Sequence, residues 1–85
     1  MSYKIVFANS VKKDIKNIPK SVLKNIKSNI QMLESFPNVS NFKKLSSHYL
    51  ADYRLRVGDY RILFDIDYLN NEINILKIGH RKNIY

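Results

Sequence analysis

The sequence predicts an α+β domain: an N-terminal strand and a two-helix hairpin come first, then an antiparallel three-stranded meander, the strands forming one sheet packed on the helices. Two patterns carry this. Residues 11–34 repeat apolar side chains at helical spacing, whereas residues 53–78 alternate apolar with polar or charged side chains and are interrupted by Gly58-Asp59 and Asn70-Asn71. A chain of 85 residues has room for one core only, so a single domain spanning 1–85 is expected, with any active site on its own surface.

Tyr3 to Ala8 is rich in β-branched and aromatic residues and reads as the first strand. Asn9 and Ser10 are good N-caps for a helix beginning at Val11. In that helix Val11, Ile15 and Ile18 recur at i, i+4, i+7 with Lys12, Lys13 and Lys16 between them, and Pro19 stops it. Ser21 can cap a second helix carrying Leu23, Ile26, Ile30 and Leu33, running to about Glu34 and ended by Phe36-Pro37. Residues 37–47 are polar and turn-prone, which predicts an exposed loop anchored by Phe42 and Leu45. Tyr53, Leu55 and Val57 then alternate with Arg54 and Arg56, Gly58-Asp59 makes a two-residue hairpin turn, and Tyr60, Ile62, Phe64 and Ile66 alternate with Arg61, Leu63 and Asp65. The last strand is expected from about Glu72 to Ile78.

Charge and composition narrow the function classes. The formal charge of +8 favours phosphate backbones, anionic membranes or an acidic protein partner. There is no cysteine, which excludes disulfides, thiolate metal sites and a cysteine nucleophile and suits a reducing cytoplasm. The apolar run in Met1–Phe7 is too short for a signal peptide or a membrane span, so no membrane association is expected. Residues 1–44 carry only lysine as cation, while all four arginines, Arg54, Arg56, Arg61 and Arg81, lie in the second half, where their planar forks suit bidentate phosphate contacts.

With Gly58-Asp59 as the turn, Arg56 faces Arg61 and Arg54 faces Leu63, so three guanidinium groups share one side of the sheet. Opposed like charges destabilise a sheet, which points to an anion site; the bland alternative is a solvated face with arginines paired to carboxylates, among which Asp65 shares their side. The segment Gly79-His80-Arg81-Lys82-Asn83-Ile84-Tyr85 follows a strand expected beside that of Arg61 and can reach the same face. RNA self-cleavage needs a base for the 2′-hydroxyl, positive charge on the phosphorane and an acid for the 5′-oxygen. Arg61 and Arg81 could supply the charge, His80 could move protons, since an imidazole is the side chain suited to proton transfer near neutral pH, and Tyr85 could stack on or orient a base. Asp65 and Asp67 share a strand face without a histidine evidently near them, so a two-metal nuclease is not expected, and neither a metal nor a cofactor is implied. His48 reads as a surface histidine in or beside the polar loop.

The segments Tyr53-Arg54-Leu55-Arg56-Val57-Gly58-Asp59-Tyr60-Arg61-Ile62-Leu63-Phe64 and Ile78-Gly79-His80-Arg81-Lys82-Asn83-Ile84-Tyr85 together resemble the RelE/ParE superfamily of toxins, and within it the RelE-like mRNA interferase branch. The order of elements extends the resemblance over essentially the entire chain. It implies the toxin of a type II toxin-antitoxin system: a cytoplasmic, ribosome-dependent endoribonuclease that cuts mRNA in the decoding site through metal-independent 2′-hydroxyl attack. A cognate antitoxin, acidic in the segment that wraps the toxin, would neutralise it. Arg61 looks like the family's transition-state-stabilising arginine, Arg81 like the arginine after the last strand, and Tyr85 like the C-terminal tyrosine. Arg54 and Arg56 stand where some members carry lysines, one of which is proposed there as the general base; arginine, with its very high pKa, does not readily take that role, which makes His80 the leading proton-transfer candidate. Lys43 and Lys44 resemble the basic segment before the meander and are expected to contact RNA. Two other functions fit the same resemblance or charge: a ParE-like inhibitor of DNA gyrase without nuclease activity, and a nucleic-acid-binding module without catalysis.

Overall fold

Alternation along the second half of the chain sends Leu55, Val57, Ile62 and Phe64 to one side of the sheet, where they bury against Val11, Ile18, Ile26, Ile30 and Leu33 from the helices. The computed structural model describes residues 2–46 and 51–84. Its elements are β1 (Lys4–Phe7), α1 (Asn9–Asp14), a 3-10 turn (Ile15–Asn17), α2 (Lys20–Met32), a second 3-10 turn (Leu33–Ser35), β2 (Phe42–Lys44), β3 (Tyr53–Val57), β4 (Tyr60–Asp67) and β5 (Glu72–His80). The predicted α+β architecture is therefore present, with the meander β3-β4-β5 at its centre. The sheet has five strands in the order β1-β5-β4-β3-β2, β1 lying parallel to β5 and the other pairs antiparallel.

Three local expectations are corrected. Residues 42–44, assigned to a loop, form the short edge strand β2, whose Phe42 opposes Leu55 and joins the core. Short strands with two lysines carry little β signal of their own, and tertiary pairing decides them. Neither α1 nor α2 has a side-chain cap: the cap positions are Ala8 and Pro19. Ser10, expected to cap, lies inside α1 and donates its hydroxyl hydrogen to the Leu76 carbonyl at 2.8 Å. Finally, α1 is shorter than the Val11–Ile18 stripe predicts, its last turn tightening to a 3-10 geometry.

The β3-β4 turn is held by Gly58 at φ 57°, the positive value at the first central position that a type II′ hairpin turn requires. An aromatic group closes the other end of the core, with Tyr53 stacked on Phe64 at 5.3 Å and Phe36 edge-on to both. The far side of the sheet has its own small apolar cluster: Ala51, Leu63 and Ile84 are buried there, with Leu45 and Leu76 packed against them. Phe42 and Leu45 thus anchor their segment as expected, one on each side of the sheet.

β5 is not a regular strand. Leu63 opposes Lys77 while Phe64 opposes Ile75, so Leu76 is an extra residue, a bulge. Beyond Ile75 the parity of the strand is reversed: Ile73 and Ile75 face the helices, and so does Ile78. The bulge is held by α1, because Ser10 binds the Leu76 carbonyl and the Asp14 carboxylate accepts the Ile78 backbone N–H at 3.0 Å. These two backbone groups lie past the end of β1, which pairs with β5 only from Glu72 to Ile75, and would otherwise lack a strand partner on that edge.

Candidate functional site

The register puts Arg56 opposite Arg61, Arg54 opposite Leu63, and Lys43 opposite Arg54. Directly paired residues project to the same side, so Lys43, Arg54, Arg56 and Arg61 form a cationic face on the side of the sheet away from the helices. Lys44 pairs with Tyr53 and therefore projects to the other side. The two lysines expected to act together are split by the pleat, and only Lys43 joins the arginines.

Asp65 shares that face but is committed elsewhere: its Oδ1 accepts the Asp52 backbone N–H at 2.6 Å. Arg61 is only 9% exposed, and its Nη1 donates to the carbonyls of Gly58 at 2.8 Å and Tyr60 at 2.9 Å. The guanidinium is thereby fixed in the bend of the β3-β4 turn. Arg56, across from it, is exposed. The turn also receives Arg81, whose backbone N–H donates to the Asp59 carbonyl at 2.8 Å and whose Nε lies 3.7 Å from Asp59 Oδ1. Both partners of that ion pair are more than half exposed, so it orients Arg81 without contributing much stability.

The tail after β5 returns to the cationic face. Ile84 packs on Gly79, which stands opposite Arg61; a Cβ on Gly79 would lie 3.3 Å from Ile84 Cδ1. The turn through Arg81, Lys82 and Asn83, closed by an Asn83 N–H to His80 carbonyl bond at 2.9 Å, thus brings Arg81 and Ile84 back toward Arg61. Tyr85 and His48, both named from the sequence, lie outside the described residues.

His80 does not join this group. It stands opposite Tyr60, on the helix-facing side, with the two rings edge-to-face at 5.5 Å and 77°. Its Nδ1 accepts the Lys82 backbone N–H at 3.2 Å, which leaves Nε2 to carry the proton of the neutral ring. The expectation that His80 shares a face with Arg61 is corrected, and the bulge at Leu76 is the reason. Without the extra residue, strict alternation from Ile73 would have put residue 80 on the arginine side. Sequence reasoning also missed Ser10 and Asp14, the two α1 residues that hold this bulge; their spacing of four on one helix face was the available signal.

Among the described residues no three His, Asp or Glu side chains cluster as a metal ion would require, and no helix is long and apolar enough to cross a membrane. The arrangement offers fixed positive charge on the sheet face away from the helices, with the Arg61 guanidinium preorganised and the Arg56 side chain exposed where a polyanion can meet it.

A helix hairpin backing a β1-β5-β4-β3-β2 sheet, with arginines at the central hairpin turn and after the last strand, defines a class of small toxins, and comparison with known proteins agrees. Residues 5–85 match the family model described as the ParE toxin of type II toxin-antitoxin systems, parDE. The sequence is 33% identical over 85 residues to Toxin RelE3 of Methanocaldococcus jannaschii, covering 96% of this chain and 94% of that protein. Similar solved structures include the RelE-RelB complex of Pyrococcus horikoshii, with 27% identity, TM-score 0.79 and 99% and 100% of the two chains covered. The RelB-RelE complex of Methanococcus jannaschii matches at 30% identity and TM-score 0.76 over 94% of each chain. The RelBE2 complex of Mycobacterium tuberculosis, at 24% identity and TM-score 0.83 over 95% and 100%, shares the fold. The chain belongs to this toxin family and, within the RelE/ParE superfamily, is a RelE-like toxin.

Proposed function

We propose that this toxin is a cytoplasmic, ribosome-dependent mRNA endoribonuclease acting by metal-independent 2′-hydroxyl attack, and that a cognate antitoxin neutralises it. The observation that carries the reading is Arg61: a guanidinium buried to 9% exposure, fixed on two carbonyls and directly opposite Arg56. Placing like charges in register destabilises a sheet, and a scissile phosphate between them relieves the repulsion.

In the proposed reaction the 2′-oxygen attacks phosphorus, the bond to the 5′-oxygen breaks, and a cyclic phosphate and a free 5′-hydroxyl result. Arg61 and Arg81 offset the charge that builds on the equatorial oxygens, while Lys43, Arg54 and Arg56 hold the neighbouring backbone. None of these groups accepts a proton at neutral pH. His80 projects to the opposite side of the sheet, so the proton lost by the 2′-hydroxyl and the proton gained by the leaving 5′-oxygen are assigned to ribosomal groups around the bound message, in keeping with the proposed ribosome dependence. Tyr85 keeps its proposed role of orienting a base.

The similar proteins solved with RelB antitoxins support a partner of that kind here. With a formal charge of +8, the cationic face suits an acidic wrapping segment. Primer extension on a message translated in vitro with the purified toxin tests the reading. Cuts within codons, dependent on ribosomes and lost in R61A, are expected. An uncut message together with inhibited gyrase supercoiling would replace it with ParE-like gyrase inhibition.

A further inference from the structure

The parity change in β5 moves His80 into a hollow of about 550 Å3 on the helix side of the sheet's end, between α1 with its following 3-10 turn and the last residues of β5. Its walls include Lys13, Asn17, Tyr60, Lys77, His80 and Asn83. Asp14 also lines it, with Oδ2 engaged by the Ile78 N–H. The volume lies within the roughly 300–1,000 Å3 of small-ligand sites.

The chemistry of this wall is mixed in a particular way. Tyr60 and His80 form an aromatic corner, their rings 5.5 Å apart at 77°. Asn17 and Asn83 carry side-chain amides, each with donors and an acceptor for the polar edge of a base. Lys13 supplies positive charge without planar recognition, whereas Lys77, opposite Leu63, sends its side chain to the arginine face. An acidic peptide would need the positive charge alone; an aromatic surface, amides and a cation together suit a nucleotide.

The hollow and the arginine face meet at one rim. Arg81 binds the Asp59 carbonyl, Asp59 precedes Tyr60, and Tyr60 opposes His80. A single strand held on Arg56 and Arg61 that passes over the Gly58-Asp59 turn reaches the hollow within a few nucleotides. We infer that the hollow is a nucleotide subsite that receives an unpaired nucleotide flanking the one held on the arginine face, its base against Tyr60 and His80 and its phosphate near Lys13. This rests on the ribonuclease reading and extends it by a second point of contact with the same strand.

The test is an amide chemical-shift titration of the full-length toxin with 2′-O-methyl RNA, which cannot be cut: a trinucleotide, sufficient for the arginine face, and a hexanucleotide that also spans the rim. The hexanucleotide should shift the amides of Lys13, Asn17, His80 and Asn83, and the trinucleotide should not. The double variant K13A/N17A, at exposed positions, should weaken hexanucleotide binding about five- to tenfold and leave the trinucleotide unchanged. H80A should weaken the hexanucleotide without altering its salt dependence, since stacking releases no counterions. K24A, exposed on α2 and away from the hollow, is the control for diffuse charge.

Equal losses in K24A and K13A/N17A would overturn the subsite in favour of non-specific attraction. Shifts of the hollow by a polyglutamate peptide and not by RNA would overturn it in favour of a protein partner. If the trinucleotide shows no shifts on the arginine face and R56A changes nothing, while the hexanucleotide still shifts the hollow, the ribonuclease reading fails and overturns the flanking role with it, leaving the hollow as a separate RNA contact.

Discussion

The Asp14 carboxylate of α1 accepts the backbone N–H of Ile78 at 3.0 Å, and this contact fixes which side of the sheet each residue at the end of β5 faces. Together with Ser10 on Leu76, it stabilises the bulge that turns Gly79 toward Arg61 and His80 toward Tyr60. D14A leaves a half-buried N–H without its acceptor and should destabilise the fold by roughly 1–3 kcal/mol, read from the midpoint of urea unfolding by circular dichroism. D14N, which keeps an oxygen acceptor, should lose less. Equal midpoints for D14A and the wild type would show that water replaces the carboxylate at no cost.

Arg61 serves the turn and, on the proposed reading, the phosphate. R61A should reduce ribosome-dependent cleavage about 10²- to 10³-fold, as expected for removing one preorganised donor to a developing anion. Its stability should also fall, because the Gly58 and Tyr60 carbonyls lose their guanidinium donor. R61K retains charge without the fork and should recover only part of the activity. Cleavage that is undiminished in R61A, after correction for the folded fraction, would remove Arg61 from the chemistry.

Gly79 is the seat of Ile84. A valine there would press branched carbons into the Ile84 side chain, which already sits 3.3 Å from an ideal Cβ. G79V should therefore lift the tail from the sheet, at a cost of about 1–3 kcal/mol for the overpacked contact. Faster amide exchange through Arg81–Ile84 and reduced cleavage, with the β3-β4 hairpin still protected, are the expected signs. Unchanged exchange in the tail would show that the contact yields without consequence.

Asp67 gives the fold an acid-sensitive contact. Hydrogen bonds from the Asn70 side chain and backbone, and from the Leu69 N–H, hold its carboxyl below the ordinary aspartate value of 3.8. A lowered folded-state pKa contributes stability that is fully present above 3.8 and disappears as pH falls through the lower folded value. D67A should therefore unfold at a lower temperature than the wild type at neutral pH, and the two melting temperatures should converge in stronger acid. A gap that stays constant across that range would exclude carboxylate linkage.

Much of this architecture was legible in alternation and spacing. The pairing of Arg56 with Arg61 follows directly from a two-residue turn at Gly58-Asp59, and the helix stripes identify Ile26, Ile30 and Leu33 as core. The placement of His80 was not legible. A bulge is decided by long-range contacts, here from Ser10 and Asp14 on α1, and nothing in the local run Glu72–His80 announces it. β2 was hidden for a related reason: Phe42–Lys44 becomes a strand because Leu55 and Tyr53 offer it an edge, and its own residues are weak strand formers. The expected caps failed because Ser10 binds the Leu76 carbonyl of β5 and Ser21 lies inside α2, which begins one residue earlier, at Lys20.

The position of β2 at the rim of the sheet has a consequence for the behaviour of the toxin in solution. An outermost strand exposes backbone donors and acceptors on which another molecule's strand could nucleate, and only three residues, two of them lysines, stand at that boundary. Lys43 and Lys44 thereby oppose stacking of one toxin molecule on the next, whichever surface each of them addresses. Neutralising both would be expected to favour self-association at high concentration, a cost to solubility separate from any loss of affinity for RNA.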